Sequence, residues 1–105
     1  MREAHALKAA GRLDEAVRRY GEAVAANPRS GAAEHALAAC LGEDGRWAEA
    51  ERHIAEAFAK GLDTPETWLV KGRCDLALGR SDAAEMAFRE ALKRREDLHA
   101  AMREL

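Results

Sequence analysis

Four histidines, two cysteines and 19 carboxylates are the side chains of this sequence best suited to catalysis or metal binding. Their spacing serves neither. A helical metal site sets two imidazoles four residues apart, and His5, His35, His53 and His99 contain no such pair. No glutamate-bearing zinc motif surrounds them. His53 is expected on an outer helix surface. The sequence has no glycine-rich phosphate loop, no nucleophile elbow and no isolated carboxylate pair, and each Asp and Glu is read as a helix-surface residue. The expectation is therefore no catalytic, cofactor-binding or metal-ligating residue, no cofactor, and a protein that is not an enzyme.

Composition narrows the partners. The 105 residues are 48% hydrophobic, enough for one domain with a modest core rich in alanine. Charged residues make up 34% yet nearly balance to a net −2, whereas a nucleic-acid or membrane-surface binder needs a concentrated basic field. The basic run Lys93-Arg94-Arg95 is flanked by Glu90, Glu96 and Asp97, and it suits a helix C-terminus instead. No apolar run is long enough to span a bilayer. Met1-Arg2-Glu3-Ala4-His5 lacks a signal-peptide core, so a cytoplasmic setting is expected.

What must position these residues is a repeat. Shifting the chain by 34 residues superposes Gly11, Gly45 and Gly79. The same shift superposes Ala16, Ala50 and Ala84, then Tyr20, Ile54 and Phe88, then Ala23, Ala57 and Ala91. Arg12, Arg46 and Arg80 also coincide, as do Glu22, Glu56 and Glu90, while Cys40 coincides with Cys74. Glycine ends a helix by taking left-handed angles. The alanine five residues later opens the buried stripe of the next helix, because positions three and four apart share a face.

These stops predict helices over 1–10, 14–26, 31–42, 47–60, 65–78 and 82–95, with a further start near 98. Thr64-Pro65 supplies an N-cap and a first-turn proline, and Asn27-Pro28 and Gly61 supply stops. Glu15–Arg19, Glu56–Lys60, Glu85–Arg89 and Glu90–Arg94 have the spacing of helix-surface ion pairs, each worth roughly 0.2–0.5 kcal/mol. No segment alternates as a strand does. The fold class is all-α, arranged as repeats of about 1–30, 31–64 and 65–98, with 99–105 the start of a capping helix or fourth repeat.

The pattern resembles the tetratricopeptide repeat, which reads W-x2-L-G-x2-Y, then A-x3-F, then P. The third copy carries Trp68-x2-Lys71-Gly72-x2-Asp75 and Ala84-x3-Phe88. The second carries Leu37-Ala38-x2-Leu41, Ala50-x3-Ile54 and Ala57, and the first carries Ala16-x3-Tyr20, Ala23 and Pro28. Lys71 and Asp75 stand where the family has an apolar and an aromatic residue, so looser packing of that helix is expected. Leu62 and Glu96 replace the closing proline. Trp47 and Trp68 are read as core residues, Trp68 at the family's aromatic position.

The resemblance implies an α-solenoid, a right-handed superhelix of antiparallel helix pairs with a partial C-terminal capping helix. It also implies a concave groove, lined by the first helix of each pair, that holds a peptide or partner helix. Carried onto this chain, the groove residues are His5, Lys8, Ala32, His35, Ala39, Glu43, Glu66, Leu69, Arg73 and Leu76. Some relatives clamp a chaperone C-terminal carboxylate with Lys and Asn, but the matching positions here carry no asparagine. Arg73 remains suited to a carboxylate, or to an internal pair with Asp75 or Glu66. The expected function is a protein-interaction scaffold, or alternatively a regulatory or substrate-docking segment of a larger bacterial enzyme of glycosyltransferase, sulfotransferase or oxygenase type. Homodimerisation through uncapped ends is a further expectation, on Ala4, Leu7, Met102 or Leu105.

Equivalent positions on stacked helices are about 10 Å apart, beyond the roughly 7 Å Cα limit for a disulfide. Cys40 and Cys74 are thus expected as free, buried thiols. Thiol titration tests this: both react in the denatured, unreduced protein, and a blocked pair there would refute it.

Overall fold

A computed structural model describes residues 12–103. Five helices follow one another: α1 Leu13–Ala26, α2 Gly31–Glu43, α3 Trp47–Ala59, α4 Pro65–Ala77 and α5 Ser81–Arg103. Among the described residues there is no strand, and no helix is long and apolar enough to cross a membrane. The expected helix over 1–10 and its stop at Gly11 lie outside the described residues.

The turns follow from backbone chemistry. Gly45, Gly61 and Gly79 have φ of 77°, 89° and 81°, a region costly for any side chain. At the end of α2, Gly45 N–H donates to the Gly42 carbonyl and Arg46 N–H to the Leu41 carbonyl, both at 2.9 Å. This double closure is the Schellman motif, and it recurs at Gly61 with Leu62 and at Gly79 with Arg80. Helix starts are equally local. The Ser30 and Thr64 hydroxyls accept from the Ala33 and Thr67 amides, at 3.1 and 3.2 Å.

Packing follows the repeat. α2 pairs with α3 and α4 with α5, while α1 rests on α2, α3 on α4, and α2 also touches α4. Ala16, Ala50 and Ala84 are buried near the starts of their helices, and Tyr20 and Ile54, one turn further on, are fully buried. Cys40 and Cys74 are free and buried, and burial pushes the Cys74 thiol up to about 11.

Two expectations are corrected. The last helix does not stop at 95 and restart near 98, because Ser81–Arg103 is continuous. One period before 95–99, the chain has Gly61, the Thr64 cap and Pro65, whereas Arg95, Leu98 and His99 stand in their places and nothing interrupts the helix. Nor does α4 pack loosely. Asp75 is buried and accepts from Lys71 Nζ at 2.7 Å, so the two polar substitutions satisfy each other.

Close approach of α4 and α5 depends on Gly72, where an added Cβ would lie 2.5 Å from the Phe88 ring. Alanine gains roughly 1 kcal/mol in helix propensity, but forcing the ring aside costs about 1–3 kcal/mol. Gly72→Ala is expected to be net destabilising, read as a lower urea midpoint. An unchanged or higher midpoint would show that Phe88 yields freely.

Candidate functional site

A hollow of about 310 Å³ opens between α2 and α4. Ala38, Ala39, Gly42 and Glu43 of α2, Trp47 of α3, and Val70 and Arg73 of α4 line it. Gly42 lets the Trp47 ring lie against the helix, since a Cβ there would approach the indole to 2.7 Å. The walls are mainly apolar and the rim carries both charges. Arg73 is exposed and makes no ion pair among the described residues, so the expected alternative pairing with Asp75 or Glu66 is not formed.

Of the groove residues expected from the sequence, the fold brings Ala39, Glu43 and Arg73 together in this hollow. His35 and Leu69 are half-buried on the same two helices, and Ala32, Glu66 and Leu76 are exposed without lining it. His5 and Lys8 lie outside the described residues. Trp47 was missed as a lining residue. Its contact with Gly42 was a legible signal, since a helical glycine five residues before a tryptophan leaves room for the ring to fold back.

Two carboxylates are not helix-surface groups. Glu34, buried on α2, accepts from Lys60 Nζ at 2.8 Å and lies 2.7 Å from His53 Nδ1. An ionised carboxylate only accepts, so Nδ1 carries the proton in this contact. His53 is accordingly half-buried against α2 rather than on an outer surface, and Lys60 bonds Glu34 rather than the expected Glu56. Asp75 likewise gathers Lys71 and, at 3.5 Å, Arg80, whose guanidinium also bonds Glu51 of α3. The expected Glu85–Arg89 and Glu90–Arg94 pairs form, while Glu15 pairs with Arg12 and Arg18.

Trp68 is half-buried and more than core. Its indole N–H donates to Asp63, its ring meets Phe58 at 4.7 Å between centroids, and the Arg94 guanidinium lies 4.8 Å from its centre. Arg94 also bonds Asp63 and Glu90. The hydrogen bonds from Arg94 and then Trp68 hold the Asp63 carboxyl below its ordinary range. Among the described residues no group of His, Cys, Asp and Glu could hold a metal ion.

Helical hairpins stacked in chain order define an α-solenoid. A tetratricopeptide repeat family model matches residues 7–74, and a second matches residues 65–98. The chain belongs to the tetratricopeptide repeat family. Comparison with curated protein sequences gives no match. Among solved structures it is similar to the second TPR of Spaghetti (RPAP3) bound to the HSP90 peptide SRMEEVD. The TM-score is 0.82 at 17% identity, over 88% of this chain and 85% of that one.

Burial acts to raise the Glu34 carboxyl, but hydrogen bonds and charge from Lys60 and His53 outweigh it and leave it below the usual value. A carboxyl depressed on folding stabilises the protein above its unfolded value, and that contribution disappears as pH falls through the folded value. Stability is therefore expected to drop below about pH 4.5. Glu34→Gln, which takes the negative charge from between Lys60 and His53, should cost on the order of 2 kcal/mol near pH 7 and flatten this acid limb. Urea unfolding at several pH values checks both effects, and an equally steep acid limb in the variant would assign it to other groups.

Proposed function

We propose that this chain is a non-catalytic scaffold whose hollow between α2 and α4 holds a peptide of a partner protein. The observation carrying this reading is the pairing of an apolar floor, formed by Ala38, Ala39 and Val70, with an unpaired guanidinium at Arg73. An apolar side chain seated on the floor would place a nearby carboxylate within reach of Arg73, whose planar fork suits bidentate contact. The structurally similar TPR, bound to the acidic peptide SRMEEVD, supports a peptide ligand of this kind.

An array of acidic peptides, followed by ¹⁵N NMR titration of the best binder, tests the assignment. Signals of Ala39, Val70 and Arg73 should move on binding. Arg73→Ala should weaken binding about tenfold, the size of a lost charged hydrogen bond, and Ala39→Arg should weaken it by filling the floor. Unchanged affinity in both variants would sink the groove assignment.

A further inference from the structure

The helices α3 and α5 carry two further hollows. The larger, about 520 Å³, is lined by Glu51, Arg52, Ile54, Ala55 and Phe58 of α3 with Lys71 of α4. The smaller, about 290 Å³, is lined by Trp68 and Lys71 of α4 with Ala83, Met86, Ala87 and Glu90 of α5. They adjoin, because Lys71 lines both and Phe58 of one packs against Trp68 of the other. Met86 is 67% exposed at the smaller hollow, and methionine is an adaptable contact residue at binding surfaces.

Charge selects the occupant. Glu51 is bonded by Arg80, Lys71 donates to Asp75, and Glu90 is bonded by Arg94, so these lining charges are already engaged. Arg52 is exposed and makes no ion pair among the described residues. Glu49, which feels its charge, is held instead by two hydrogen bonds from Arg46. An unengaged guanidinium therefore stands at the edge of the larger apolar hollow. The surface is also braced. Arg80 ties the start of α5 to Glu51, and Arg94 ties its later turns to Asp63 beyond α3.

We propose that this face is a second docking surface, and that its occupant is an acidic amphipathic segment of a partner protein. Apolar side chains fill the two hollows while a carboxylate meets the Arg52 guanidinium. None of its lining residues lines the hollow between α2 and α4, so two partners can be held at once.

The test pans a phage-displayed random peptide library on the Arg73→Glu protein, in which the first hollow is impaired. Enriched peptides should carry Asp or Glu beside paired apolar residues and shift the Trp68 indole and Ala55 signals in ¹⁵N NMR. They should lose about tenfold in affinity when Arg52→Glu is added, and a comparable amount with Ala55→Arg, which fills the larger hollow. Both sites are exposed, and circular dichroism verifies that each variant keeps its helices. No enrichment overturns the proposal. So does enrichment of peptides indifferent to both variants, or of peptides that shift Ala39 and Val70 instead.

Discussion

How closely two helices can approach governs the architecture. Ala16, Ala50 and Ala84 are buried at the same place in successive second helices, and a larger side chain there would push each helix from its neighbour. Gly42 and Gly72 extend the constraint, since Trp47 and Phe88 occupy the space a Cβ would need. With the small residues in contact, the bulky Tyr20 and Ile54 fill the gaps between hairpins and are themselves fully buried. Both kinds of hollow, between α2 and α4 and along α3 and α5, are the spaces this spacing leaves open.

Polar groups then fasten particular hairpins. One period apart, Glu34 and Trp68 occupy equivalent positions, as do Lys60 and Arg94. The second hairpin joins its pair through a carboxylate and an ammonium, and the third through a guanidinium over an indole. The same contact is thus made by two chemistries, both with a cation at one repeat position, which caps the end of α3 and lies within α5. A buried carboxylate is tolerable in this setting because His53 and Lys60 both reach it. Arg80 and Arg94 have a wider role, joining segments 29 and 31 residues apart.

The repeat was legible because its causes are local. A glycine at positive φ, a threonine before proline and apolar residues three and four apart act within one or two helical turns, so the helix limits and three turns could be read directly. The end of α5 shows the same rule from the other side: without a glycine, cap or proline at 95–99, periodicity alone did not stop the helix. Three of the seven residues lining the candidate site were legible as well. Ala39, Glu43 and Arg73 follow from the family resemblance, whereas Trp47 enters the hollow only because Gly42 admits its ring.

By itself, then, the sequence determined the period, the helices up to the start of α5, the Thr64 cap and the free state of the buried thiols. The pairs Glu85–Arg89 and Glu90–Arg94 were legible from their spacing, but tertiary structure decided which charges are engaged between helices. Glu34 reads as a surface residue until α3 brings His53 and Lys60 against it, and Asp75 reads as a packing defect until Lys71 and Arg80 close on it. Arg52 and Arg73 make no ion pair among the described residues for the complementary reason. Ion pairing depends on a few ångströms of separation in space, and a repeat that specifies neighbours along the chain does not specify that distance across it.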